Sequence, residues 1–115
     1  MEEELVYRLF AAYCGSLDEE ELESRLLCQA AIRRLRRLLK DPQTEAEAGE
    51  ELNLLAAIWA AGDYLQLQGS EETVKVGEVE VRSTKRGEAL LALRDTLMAQ
   101  NAAWFTADGF HVQVV

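Results

Sequence analysis

The chain opens with Leu5, Leu9 and Ala12 at positions i, i+4 and i+7, and Val6, Phe10 and Tyr13 widen them into one helical stripe. A helix is expected over 3–14, ended by Gly15-Ser16. Ser16 with Glu19, or Asp18 with Glu21, has the spacing of a capping box that starts a second helix. Leu22, Leu26, Ile32, Leu35 and Leu39 hold a helical repeat to about Lys40, where Asp41-Pro42 closes it. A third helix is expected from Thr44, boxed with Glu47, to about Gln68. Its middle, LLAAIWAAGDYL, is apolar nearly all round and predicts a central position. Gly62 inside that run costs about 1 kcal/mol relative to Ala, which a close helix approach would explain. Gly69-Ser70 ends the third helix, and Ser83 or Thr84 caps a fourth through about Ala103, with Ala89, Leu90, Leu93, Leu97 and Met98 as its core stripe.

Between the last two helices the pattern changes. Residues 73–82, TVKVGEVEVR, alternate valine with charge, and period two predicts a β-hairpin. With Gly77-Glu78 as a type II′ turn, Val76 faces Val79, Lys75 faces Glu80, Val74 faces Val81 and Thr73 faces Arg82. All four valines then share one face. A lone hairpin is marginal in water, so that face needs a cover: this chain's helices, its tail, or a neighbouring copy. In the tail, Asp108-Gly109 is a turn signal, and Phe110, Val112 and Val114 alternate with His111 and Gln113, which predicts a short strand over about 110–114. The expected fold is mainly α: a four-helix bundle with an inserted β-hairpin between helices 3 and 4 and a short C-terminal strand. At 115 residues, with no repeat and no linker-like tract, it should form a single domain.

Composition narrows the range of functions. A 49% hydrophobic and 29% charged chain is ordinary globular material. The net charge of -9 disfavours contact with nucleic acid phosphates, so sequence-specific nucleic acid binding is not expected. No apolar run reaches membrane-span length, the longest being Leu54–Gly62. Cys14 and Cys28 lack a CxxC spacing, and the acidic opening MEEELVYRLF is unlike a secretory leader, which together predict reduced thiols in a cytosolic setting.

The charge is unevenly spread. From Asp41 to Glu72 there are eight acids and no Lys or Arg, whereas Arg33, Arg34, Arg36, Arg37 and Lys40 place five cations in eight residues. Arg33, Arg36, Arg37 and Lys40 fall at i, i+3, i+4 and i+7, one stripe along the second helix. Bases at a helix end and acids at its start complement the helix dipole, and this accounts for part of the pattern. The stripe also suits an acidic partner, and the nearest acidic surface is this protein's own, Asp18–Glu23 or Asp41–Glu51. Head-to-tail contacts of that kind generate a ring if the rotation closes.

Catalytic chemistry has little support. The sole histidine, His111, sits near a strand end, a poor place for a rigid general base. Cys14, Cys28 and His111 are too few and too widely spaced for a zinc site, and Asp18–Glu21 lacks the calcium-loop pattern. No phosphate-binding glycine motif occurs, so neither a metal nor a cofactor is expected. Trp59 and Tyr64, or Trp104 and Phe105, could line a pocket, although apolar neighbours favour core packing for Trp59.

The order of parts resembles the head-tail connector, or head-completion, proteins of long-tailed bacteriophages. The resemblance lies in a short helix, a long charged helix, the Ala-rich LLAAIWAAGDYLQL, the stretch GSEETVKVGEVEVRSTKRGEALLAL, and a final helix with a tail. Its specific part covers roughly Thr44 to Leu97, and VKVGEVEV followed by a polar cap is similar to prophage-encoded members. The resemblance implies a non-enzymatic virion protein that assembles as a ring of about twelve copies on the portal vertex. Such a ring joins portal protein to stopper or tail proteins in the neck and continues the DNA channel, after assembly in the host cytoplasm. An acidic lining would keep DNA from sticking. The expected subunit contacts are the valine face of Val74, Val76, Val79 and Val81, the tail residues Phe110, Val112 and Val114, and the basic stripe of Arg33, Arg36, Arg37 and Lys40. The other reading is a small acidic helical regulator or inhibitor that binds a basic protein.

Overall fold

The computed structural model describes residues 1–14, 21–71 and 77–106. They form a mostly helical structure with five α-helices: α1 (Glu3–Cys14), α2 (Glu21–Leu38), α3 (Gln43–Glu47), α4 (Gly49–Glu71) and α5 (Gly77–Gln100), followed by a 3-10 turn, Ala102–Trp104. α1 spans the expected range, and its apolar stripe centres on the buried Val6 and Phe10, while Leu5 and Ala12 face out. The capping boxes expected from Ser16 to Glu21 reach outside the described residues.

α4 is the central helix, as its all-round apolarity implies. Leu52, Leu55, Ala56, Ala57, Ile58, Ala60 and Ala61 are all buried, and α1, α2 and α5 each pack against it. α2 presents Ser24, Cys28, Ala31, Ile32 and Leu35 to the core, followed by Leu39 just past its end, whereas Leu22 and Leu26 point away. Small inward residues let α2 lie close to its neighbours, and the helical repeat alone does not reveal that rotation. Phe10 meets Tyr64 edge to face with ring centres 5.6 Å apart, joining α1 to α4.

α5 crosses α4 where two glycines meet. A Cβ added at Gly62 would lie 2.7 Å from the Leu91 side chain, and one at Gly87 would lie 3.0 Å from the Gly62 carbonyl oxygen. The close approach anticipated at Gly62 is present, with Gly87 as its counterpart. Arg86 donates to the Tyr13 carbonyl and ties α5 to the last turn of α1.

The third expected helix is two helices. Ala48 leaves helical geometry at φ -115° and ψ 31°, although its N–H still donates to the Thr44 carbonyl at 2.8 Å. The cap of α3 comes from Asp41, whose Oδ1 accepts from the Gln43 N–H at 2.9 Å, and no Thr44 box forms. α4 also runs past Gly69-Ser70 to Glu71.

The β elements require correction. α5 begins at Gly77, so Gly77-Glu78 is no turn, Val79 and Val81 are helical, and Ser83 and Thr84 lie inside the helix instead of capping it. The hairpin register is therefore wrong. Val74 and Val76 lie outside the described residues, as do Phe110, Val112 and Val114 of the expected C-terminal strand. No strand occurs among the described residues; they contain a single antiparallel bridge, Leu39 to Phe105. There the Lys40 N–H donates to the Trp104 carbonyl at 2.9 Å and the Thr106 N–H donates to the Leu38 carbonyl at 2.7 Å. Those bonds supply partners for backbone groups at the end of α2, and Phe105, 1% exposed, seals the core beside it.

Candidate functional site

The basic stripe on α2 divides once its surroundings are known. Arg36 turns toward α3, where its Nε donates to Glu45 Oε1 at 2.9 Å and its Nη2 to Glu45 Oε2 at 3.0 Å. The Met1 ammonium donates to the same Oε2. The Arg36 hydrogen bond holds the Glu45 carboxyl at a pKa of about 2, well below its ordinary 4.5, with the Met1 ammonium adding to the effect. At the next residue, the Glu2 N–H donates to Oδ1 of the buried Asn53 of α4 at 3.0 Å. Arg36 thus helps seat the start of α1 against α3. The side chains of Arg33, Arg37 and Lys40 stay exposed, with no ion pair or side-chain hydrogen bond among the described residues.

Arg34 leaves the stripe on its other side. Its Nη1 donates to Asp63 Oδ2 at 3.0 Å, and its guanidinium lies 5.5 Å from the centre of the Trp59 ring. Arg94 of α5 approaches the same ring at 4.7 Å and also pairs with Asp95. Trp59 is therefore only half-buried, held between arginines of α2 and α5 across α4. No local motif announces this contact, since its members lie far apart in sequence. Arg25 makes a similar link between α1 and α2, with its guanidinium 4.3 Å from the Tyr7 ring and its Nη1 bonded to Glu4 at 3.1 Å. That bond lowers the pKa of the Glu4 carboxyl.

Acidic side chains are exposed where α3 passes into α4. Glu47, Glu50 and Glu51 have no ion-pair partner among the described residues. The surface thus offers uncompensated charge of both signs.

Two surface depressions among the described residues do not resemble a reaction chamber. One of about 350 Å³ is bordered by Met1, Glu3, Gln29, Ile32, Arg33 and Arg36. Another, of about 370 Å³, is bordered by Leu27, Arg34, Asp63, Gln66 and Leu67. Both are open and edged by long polar side chains, unlike the enclosed apolar clefts that take small ligands. Tyr64 is core, and Phe105 is buried beside the half-buried Trp104. Cys28 is buried and Cys14 half-buried, both are free thiols, and burial pushes both up to about 12. His111 lies outside the described residues, among which no three His, Cys, Asp or Glu side chains gather in a metal-holding group. No helix among them is long and apolar enough to cross a membrane.

Of the expected contact residues, Arg33 and Arg37 are exposed on α2, Lys40 is exposed just past its end, and Arg36 is diverted to Glu45. Val79 and Val81 lie in α5, and the other five apolar candidates lie outside the described residues. No family model, no curated protein and no solved structure matches the chain.

Proposed function

We propose that the chain is a structural, non-enzymatic virion protein, a head-tail connector subunit of a long-tailed bacteriophage. In this reading it assembles in the host cytoplasm as a ring of about twelve copies on the portal vertex, around the DNA channel, and joins the portal to stopper or tail proteins in the neck. The observation that carries the proposal is the surface: Arg33, Arg37 and Lys40 in and just after α2, and Glu47, Glu50 and Glu51 where α3 passes into α4, are exposed and uncompensated among the described residues. Such a subunit is equipped to meet other macromolecules. The order of helical parts from Thr44 to Leu97 supports the connector form of that role. VKVGEVEV contributes only as sequence, because its helical course from Gly77 removes the valine-faced hairpin from the contact set.

Mass photometry of the full chain, of portal assemblies and of their mixture tests the reading. A new species heavier than the portal by several subunits is expected. An unchanged portal peak beside an unassembled chain would remove the connector assignment. A small acidic regulator would also leave the portal untouched, but would form a complex of low, defined stoichiometry with a basic protein.

A further inference from the structure

The outward side of α2 carries leucines that no other element among the described residues covers. Leu22 is 75% exposed and Leu26 50%, high values for large apolar side chains one helical turn apart. Ala30, Arg33 and Arg37 continue the same face at i+8, i+11 and i+15 from Leu22, and the exposed Glu23 flanks its start. The sequence leading into the helix, Asp18–Glu21, is acidic throughout. Read along this face, the order is acid, leucine, small residue, base.

The complement of that order is the same order reversed. A partner helix should present bases where α2 presents acids, and a small side chain where α2 presents Leu26. α2 of a second copy, run antiparallel, meets both conditions. We propose that two copies of this chain pair through α2 about a two-fold axis, with Leu26 of each against Ala30 of the other and Glu23 of each against Arg33 of the other. The pairing is isologous, so every contact is made twice. A parallel alignment would instead set Arg33 against Arg33 and Arg37 against Arg37, which like-charge repulsion disfavours. Charge sets register and direction, while removal of the leucines from water supplies the driving force. Nucleic acid is a poor occupant for a chain of net charge -9, because the acidic start of the face would repel phosphates.

This contact closes on itself and builds no ring, so it is independent of the connector reading. In a connector it would hold the free subunit as a dimer ahead of assembly.

Sedimentation velocity of the full chain over a dilution series tests the pairing. Leu26→Asp, Glu23→Arg and Arg33→Glu should each weaken the dimer by at least about tenfold in Kd. At a concentration where every variant is monomeric, their circular dichroism should match the parent chain and their stability should lie within about 1 kcal/mol of it, since all three side chains are exposed. Combining Glu23→Arg with Arg33→Glu recreates the opposite-charge pair and should bring Kd back to within about threefold of the parent. The proposal is overturned by a chain that stays monomeric at about 1 mM, the weak end of specific association. It is equally overturned by a dimer indifferent to all three substitutions, or by a combined variant no tighter than its single parents. Portal binding is read separately with Leu26→Asp, which alters no residue of the charged surface, so loss of the dimer and loss of the portal contact are distinguished.

Discussion

α4 and α2 are both long helices rich in apolar residues, but their surroundings differ. α4 is apolar nearly all round and is packed by α1, α2 and α5, so its Leu52, Ala56 and Ala61 are fully buried. α2 turns Cys28, Ala31 and Leu35 inward and leaves Leu22 and Leu26 to solvent. The difference shows that an apolar side chain's contribution depends on whether another element is available to cover it. Within α4 the chain supplies that element. On the outer side of α2 none of the described residues does, and a second copy is the proposed cover.

The largest test of this contrast compares a leucine or aromatic on each side. Phe10, fully buried against α4, should cost about 3–5 kcal/mol when replaced by alanine, because transfer and cavity terms add. Leu26→Ala should change the stability of the monomer by no more than about 0.5 kcal/mol, since the site is already half in water. Urea denaturation at a concentration where the chain is monomeric checks both. A Leu26→Ala loss approaching that of Phe10→Ala would mean that the outer face of α2 is covered within one chain.

The α4–α5 crossing provides a test of intermediate size. An alanine at Gly87 gains up to about 1 kcal/mol of helix propensity. Its Cβ would nevertheless sit 3.0 Å from the Gly62 carbonyl oxygen and 3.2 Å from the Gln66 nitrogen, both backbone atoms that cannot turn aside. Gly87→Ala should therefore be net destabilising, by about 1–3 kcal/mol. At Gly62 the closest obstacle is the Leu91 side chain at 2.7 Å, which can change rotamer, so Gly62→Ala should cost less. Thermal melts of the two variants would reverse this ranking if the helices can slide apart freely.

The same crossing marks the limit of what periodicity alone can tell. Gly62 is legible because a glycine in an apolar helix has no local advantage and so points to a close neighbour. Gly77 is misleading because a glycine between alternating valines has the local grammar of a hairpin turn. The helical course of Gly77–Arg82 is continuous with the helix-forming run that ends at Gln100. Helix propensity penalises valine by only tenths of a kcal/mol per residue, which extension of an established helix readily outweighs. Leu22 and Leu26 fail for a related reason. The repeat identifies an apolar face, but the inward direction is set by Ser24, Cys28 and Ala31, whose small side chains permit close packing. In the candidate surface, the exposure of Arg33 and Arg37 agrees with their i, i+4 spacing on α2, whereas Lys40 lies past the end of that helix at Leu38. The diversions of Arg36 to Glu45 and Arg34 to Asp63 are not legible from spacing, because they require knowledge of which helices become neighbours.

Arg36 also supports the smallest prediction, which separates the internally paired part of α2 from its free part. Hydrogen bonding by Arg36 depresses the folded-state pKa of Glu45 from 4.5 to about 2. A depressed carboxyl contributes stability that is present above its unfolded pKa and is lost as pH falls toward the folded one. The parent chain should therefore lose this contribution between about pH 4.5 and pH 2. Arg36→Met removes the main cause, leaves the Met1 ammonium in place, and should flatten that part of the profile. Because the Arg36 side chain is 50% exposed, solvent screening limits the difference to about 1 kcal/mol or less. Arg37→Met, made at a site with no such partner, should leave the profile unchanged. Urea midpoints measured on both sides of pH 4.5 check the pair of variants. Equal slopes for parent and Arg36→Met would mean that the Arg36–Glu45 contact is not maintained in solution, and Arg36 would then rejoin the exposed stripe.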